Sequence, residues 1–287
     1  MRLEGHQVTV NVDGVEKTYE MKVPVRETDR VYIVGCANTK DIVPYDDKDA
    51  EFWGVNNLWG VPLPAKWTRW FEIHHIWYDQ IKRKLVRREL TDFRGQPVDQ
   101  YMNGLASLPC PVYMQQFWPE MIPNSVVFPL PQMVKFFAEE KQLGLQFARY
   151  LTNTISIEIA LAIFEGFKEI FVYGVDMAVG TEWQNQRPSC EFWLGLAKGM
   201  GINIYIPAEA DLLKTRFIYG FEEPLQNEFA KKLKKIKVDM VQKANAAQHQ
   251  ANESNNALNQ YQGAIHVMNE IDKVWSNFSD KLIGSGS

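Results

Sequence analysis

Apolar and polar residues alternate on both sides of Asp13-Gly14 in "QVTVNVDGVEKTYEMKV", and Asp-Gly is a dipeptide that two-residue type I′ turns favour. The N-terminus therefore reads as a β-hairpin. A second pattern follows. The runs "VYIV", "EFWGVNN", "RWFEIHH", "CPVYMQQ", "NSVVFPL", "EIFVYGVD" and "INIYIP" are short, rich in β-branched and aromatic residues, and closed by polar or turn residues, as strands are. In the third pattern, apolar residues recur every three or four positions through "EKQLGLQFARYLTNTISIEIALAIFEGF" and "RPSCEFWLGLAKGMG", which is the spacing of helices. The first helix is expected to end at Gly166 and the second at Gly199 or Gly201, because glycine readily takes the left-handed conformation that closes a helix. Strands that alternate with helices pair in parallel, so the expected class is α/β with a doubly wound sheet.

The pattern changes after "EEP". Leu233, Ile236, Met240, Ala244, Ala247, Ala251, Ser254, Leu258, Tyr261, Ile265 and Met268 recur at steps of three and four. They form an a/d seam of roughly six heptads, which favours a coiled coil or a long antiparallel helical pair. The centre of the seam, "ANAAQHQANESNN", is small and polar, and fits either a tight helix crossing or a turn near 253–256. The expected organisation is a hairpin over 1–26, a Rossmann-like nucleotide-binding domain over 27–220, a helical oligomerisation region over 221–282, and a flexible tail over 283–287.

Composition narrows the class without naming a function. Apolar residues are 46% and charged residues 23% of the 287, which suits one globular core with room for an appendage. No apolar run approaches the roughly 18 residues of a membrane span, and "MRLEGHQ" is not a secretory leader, so a cytoplasmic location is expected. Cys36, Cys110 and Cys190 are odd in number and unpaired in spacing, which supports neither a disulfide frame nor a cysteine zinc site. The net charge of −4 provides no overall field for nucleic acid. The basic runs "IKRKLVRREL" and "KKLKKIKVDMVQK" read as solvated helical faces. Metal-spaced ligands, a dinucleotide fingerprint, a phosphate loop and a serine-nucleophile motif are all missing from the sequence, so no metal or resident cofactor is called for.

The candidate chemistry lies at predicted strand ends, where open α/β sheets bind ligands. Gly35, Cys36, Ala37, Asn38 and Thr39 follow one strand, Asn56 and Asn57 the next, and His74 and His75 a third. An Asn amide offers both a donor and an acceptor to a base or ribose, and glycine lets backbone N–H groups approach a phosphate. Asp176 ends a strong strand and leads into Glu182, Gln184, Gln186, Arg187, Ser189 and Glu191, a loop able to supply an acid–base carboxylate and an anion-binding arginine at a helix start. Asn153, Thr154 and Ser156 stand at another helix start, as caps or as phosphate-binding hydroxyls.

The segment "NTISIEIALAIFEGFKEIFVYGVDM", followed by "GINIYIPAEADLL", resembles bacterial sialyltransferase-like proteins and their motility-accessory-factor and pterin-pyrophosphokinase-like relatives. The resemblance rests on Thr154, Ser156, Gly166, Lys168, Glu169, Gly174, Asp176 and Pro207, and more loosely on Gly35, Asn38 and Asn56. The whole pattern, including "QRPSCEFWLGLAKGMGI", also looks like a group of tailed-phage proteins of uncertain role. The resemblance implies a nucleotide or nucleotide-sugar site formed by the 35–39 turn, Asn56, the 154–156 helix start and Asp176. Where that family places a catalytic histidine, this chain reads "EWQNQRPS". A base for sugar transfer then has to come from Glu182, Glu191, Asp176 or His74.

Three functions fit these residues. The first is a glycosyltransferase-like enzyme with a nucleotide-sugar donor. The second is a binder without turnover that sequesters a nucleotide-derived signal or metabolite. The third is a scaffold whose helical tail assembles copies around a vestigial pocket. The expected partners are a nucleotide-type small molecule and further copies of the chain.

Overall fold

In the computed structural model of the chain, the described residues are 2–12, 14–79, 84–87, 98–177, 185–215, 218–219, 221 and 228–283. They divide into two compact units, Met1–Lys214 and Thr215–Ser287. The first unit opens with the antiparallel strands β1 (Arg2–Val12) and β2 (Val15–Val25). Val12 pairs with Val15, so the connection is the two-residue turn that Asp13-Gly14 predicted, and Gly14 takes φ +84°. Lys17 and Tyr19 on this ribbon both donate to Glu120, at 2.6 and 2.5 Å.

The remaining strands are β3 (Arg30–Val34), β4 (Ala50–Val55), β5 (Arg69–Phe71), β6 (Ile76–Asp79), β7 (Lys84–Arg87), β8 (Val112–Met114), β9 (Ser125–Val127), β10 (Glu169–Tyr173) and β11 (Asn203–Tyr205). Seven of them form one sheet in the order β11-β10-β3-β4-β5-β8-β9, with every neighbouring pair parallel. From β3 the chain winds outward through β4, β5, β8 and β9, then returns to add β10 and β11 on the other side. The winding therefore reverses between β3 and β10, and the strand ends at such a switch point diverge to leave a crevice.

Both faces of the sheet are covered, as the alternation inside each strand requires. Val31, Ile33, Trp53, Phe71, Ile170 and Val172 pack on one face against the helices α4 (Thr154–Phe164) and α5 (Arg187–Gly199). Tyr32, Val34, Phe52, Trp70, Val112 and Tyr173 pack on the other against Tyr101, Met102 and Leu105 of α1 (Val98–Ala106), and against Ile76 and Leu85 of the β6–β7 hairpin.

Three expectations change. The helical pattern from 140 to 167 holds only in its second part. The helix α2 (Leu130–Lys135) runs into a π-turn, Phe136–Glu140, then left-handed Gln142 (φ +56°) and Gly144 (φ +77°) break the chain, and one short turn, α3 (Leu145–Ala148), precedes α4. Within "IKRKLVRREL", residues Lys84–Arg87 form strand β7 against β6 rather than a helical face. α1 carries the facing apolar residues, and no strand or helix was expected there.

The second unit contains α6 (Glu228–Ile283), one continuous helix of 56 residues, about 84 Å long at 1.5 Å per residue. The polar centre at 253–256 is helical, so the turn is not there. No helix among the described residues is long and apolar enough to cross a membrane.

Candidate functional site

Strand order brings the 35–39 turn against the end of β10. Gly35 N donates to Tyr173 O and Ala37 N donates to Gly174 O, both at 2.8 Å, while Gly174 N donates to Thr39 Oγ1 at 2.7 Å. The two glycines meet so closely that a Cβ on Gly35 would stand 2.4 Å from Gly174 O, and one on Gly174 would stand 2.2 Å from Gly35 O. Gly174 also needs φ +65°. These glycines are therefore the price of bringing the two strand exits together. Thr39 is buried and acts as a stitch, Cys36 and Ala37 are half-buried, and Asn38 is exposed at the start of a 3-10 turn, Asn38–Ile42.

Asn56 leaves β4 in the left-handed region, φ +51°, which Asn tolerates better than most residues. Its main chain is tied down: its N–H donates to Phe71 O at 3.2 Å and its carbonyl accepts from Trp70 Nε1 at 3.2 Å. Its side-chain Oδ1 is buried with no partner among the described residues, as are Trp59 Nε1 and one oxygen of Asp176. Such orphaned groups are uncommon and costly. Burial, reinforced by the carboxylate of Asp211, pushes the Asp176 carboxyl above its ordinary range.

The helix starts are built from the other predicted residues. Asn153 caps α4: its Oδ1 accepts from Ser156 N at 2.9 Å, and Ser156 Oγ reaches back to the Asn153 backbone in a capping box. Asn153 Nδ2 also donates to Gln186 O at 3.0 Å, and Thr152 Oγ1 meets Ser189 Oγ at 2.5 Å. The starts of α4 and α5 are thereby joined, and because both helices run antiparallel to the strands that follow them, both start at the carboxyl edge of the sheet. Thr154 is the first helical residue. Arg187 pairs with Glu191 at 2.7 Å and lies 3.4 Å from Met177 O, which links α5 to the exit of β10. Glu191 also accepts from Leu213 N at 3.3 Å, so this carboxylate is occupied. Glu182 and Gln184 lie outside the described residues. Burial raises the Cys190 thiol to about 12, which keeps it protonated.

His74 stands two strands from the glycine turn, past β5, and brings with it two residues the sequence reading passed over. Its Nδ1 lies 2.5 Å from Glu72 Oε1, and the other oxygen of Glu72 accepts from Tyr101 Oη. Glu72 and His74 are two apart just past the end of β5, so Glu-x-His after a strand was a readable signal. Tyr101, 29 residues further on, was not.

The carboxyl edge thus carries Gly174 to Asp176, Gly35 to Asn38, Asn56, and Glu72 to His74 on four adjacent strands. At strand spacings of just under 5 Å these span roughly 14 Å.

No protein-family model matches the chain, and no curated protein sequence matches it. Among solved structures it is similar to the sialyltransferase CstII from Campylobacter jejuni in complex with the substrate analogue CMP-3FNeuAc, at 14% identity over 62% of this chain and 79% of that one, with a TM-score of 0.38. It is also similar to an alpha-2,3-sialyltransferase from the same organism in apo form, at 13% identity over 75% and 97% of the two chains and a TM-score of 0.40. The monofunctional alpha-2,3-sialyltransferase Cst-I, likewise from Campylobacter jejuni, gives 13%, 77%, 98% and 0.36. At these identities and TM-scores the likeness carries no residue assignment.

Proposed function

We propose that the crevice at the carboxyl edge binds a nucleotide-sugar and that the chain transfers the sugar to a hydroxyl acceptor. The observation that carries this reading is the pair of buried side-chain oxygens of Asn56 and Asp176 without a partner among the described residues, which flank the glycine turn at the switch point of the sheet. A buried polar group without a partner is costly, and a ligand rich in hydroxyls and ring nitrogens relieves that cost at both positions. Asn38 and Asn56 read the nucleoside, and the joined starts of α4 and α5 with Arg187 face its phosphate. Burial and the Asp211 carboxylate raise the Asp176 carboxyl above its ordinary range, which makes a neutral hydroxyl-rich group a better neighbour for it than a further bare anion.

The test mixes the full chain with CMP-, UDP-, GDP- and ADP-linked sugars and with the free nucleotides, recording melting shifts and then chromatographing each ligand. A ligand at about a hundred times its dissociation constant adds roughly 2.7 kcal/mol. Consumption of a nucleotide-sugar establishes transfer or hydrolysis. A shift with the ligand recovered intact favours the alternative of a binder that sequesters a nucleotide-derived signal, and no shift with any ligand ends both readings.

We also propose that α6 joins copies of the chain. Ile236, Met240, Leu258, Tyr261, Ile265 and Met268 are all more than half exposed along it, and a helix with such a seam is stabilised by burying it against another. Replacing Met240, Leu258 and Ile265 by Glu in the full chain should shrink the particle seen by light scattering. An unchanged size would sink the idea.

A further inference from the structure

Glu72 has no exposed surface, and its two carboxylate oxygens meet His74 and Tyr101. Its Oε1 accepts from the His74 ring at 2.5 Å and from the His74 backbone N–H at 3.2 Å, and its Oε2 accepts from Tyr101 Oη. A buried carboxylate is costly unless its oxygens are satisfied, and here both are satisfied by groups able to carry a proton. An ionised carboxylate only accepts, so His74 Nδ1 carries the hydrogen and the lone pair resides on Nε2. Nε2 makes no hydrogen bond among the described residues, and the side chain is 35% exposed. The loop is fixed at both ends: Glu72 N donates to Tyr113 O at 2.9 Å and Gln115 Nε2 donates to Ile73 O at 2.8 Å. Tyr101 is held in turn by the Trp59 ring at 6.2 Å, which fills the space a Cβ on Gly104 would need. Asn56 N bonds the residue before Glu72, so the couple adjoins the Asn56 side chain, whose Oδ1 has no partner among the described residues.

We infer that Glu72 and His74 form a carboxylate–imidazole couple that takes the proton of the acceptor hydroxyl, with Tyr101 as a positioning residue for the carboxylate. The inference rests on the nucleotide-sugar reading of the neighbouring crevice and adds the base that reading lacks. The step balances. His74 Nε2 accepts the hydroxyl proton and becomes imidazolium beside the Glu72 carboxylate. The acceptor oxygen forms the new bond to the anomeric carbon, and the bond from that carbon to the nucleotide phosphate breaks, with its electron pair leaving on the phosphate. The proton then passes to solvent from the exposed edge of the ring. A carboxylate behind the imidazole stabilises the cation that forms, and positioned proton transfer of this kind contributes about 10²–10⁴-fold.

The test uses the full chain, wild type and the His74→Ala, Glu72→Gln and Tyr101→Phe variants, with the same set of nucleotide-linked sugars. Melting shift and KM are read against the rate of nucleotide release. For His74→Ala a loss of about 10²-fold or more in kcat is expected, with KM and the melting shift preserved and part of the rate restored by imidazole in solution. Glu72→Gln should give a smaller kcat loss at unchanged KM, and Tyr101→Phe a smaller one again. A His74→Ala variant with wild-type kcat overturns the inference and leaves the nucleotide-sugar reading standing. A wild-type chain that binds a nucleotide-sugar without consuming it overturns the inference together with the transfer half of the proposed function, and leaves only the binding site. A wild-type chain that binds none overturns the reading of the crevice, and the couple's role with it.

Discussion

Strand β5 carries a buried ionic cluster at each of its ends, and the two are built to opposite specifications. At the entry, Arg69 is fully buried: Nε and Nη2 grip both oxygens of Glu51 at 2.7 and 3.1 Å, Nη1 reaches Glu165 at 2.6 Å, and the guanidinium lies 4.8 Å from the Trp53 ring. Trp53 Nε1 completes Glu51 at 2.8 Å. At the exit, three residues on, Glu72 is equally buried and meets His74 and Tyr101, and the far nitrogen of His74 makes no hydrogen bond among the described residues. The entry cluster pairs permanent charges, with Glu165 Oε2 left without a partner among the described residues, and it lies at the edge opposite the proposed crevice. The exit cluster sets proton carriers against a carboxylate at the carboxyl edge, where the crevice is proposed to bind its ligand. Burial alone therefore says little about role, and what distinguishes the clusters is whether the groups that meet the carboxylate can take up and release a proton.

The largest effect is expected at the entry. Arg69→Met removes the cation from two buried carboxylates and should cost about 3–5 kcal/mol in urea unfolding, with ligand affinity unchanged for the molecules that remain folded. A loss below about 1 kcal/mol would break the comparison at its structural end. Glu72→Gln should cost less, about 1–3 kcal/mol, because the amide keeps the shape of the side chain and can still hydrogen-bond His74 and Tyr101, and its loss of turnover should exceed what that instability explains. Equal stability losses at the two ends would remove the distinction.

Glu158 sharpens the contrast, being buried in α4 with neither oxygen partnered among the described residues. Burial alone raises its carboxyl well above the ordinary 4.5. A raised folded-state value means that the stability tied to the neutral acid is fully present below that ordinary value and is lost as pH rises toward the folded one. Glu158→Gln should therefore unfold at higher temperature than wild type at pH 8 and nearly with it at pH 4. A gap that widens toward acid would refute this. The smallest effect concerns Asn56, where Asn56→Gly keeps the left-handed backbone while deleting the amide. Affinity for the bound nucleotide-sugar should fall by up to about tenfold, one hydrogen bond's worth, with melting of the free chain shifted little. Unchanged affinity would place the pocket elsewhere.

Much of the architecture was legible in the chain. The seven runs from "VYIV" to "INIYIP" are the seven strands of the large sheet, β1 and β2 pair as the N-terminal hairpin that was expected, and Gly166 and Gly201 sit in the left-handed region just past their helices. The misreadings share a cause. "EKQLGLQF" has helical spacing, but left-handed Gln142 and Gly144 override it, and in "KLVR" the basic residues hid a strand that only pairing with β6 defines. At the site, Asn153 and Ser156 were recognisable as a helix start, whereas Thr39 read as a ligand residue and serves as a stitch to Gly174.

By itself the sequence determined the kinds of element and their order, because strand and helix periodicity follow from backbone geometry within a few residues. The tertiary structure alone decided which strand ends adjoin, and with them the partners of every buried charge. Arg69 meets Glu51 and Glu165 across 18 and 96 residues, and Glu72 meets Tyr101 across 29. The physical reason is that a buried charge must find its complement wherever the fold brings one, and that distance in space has no local pattern along the chain.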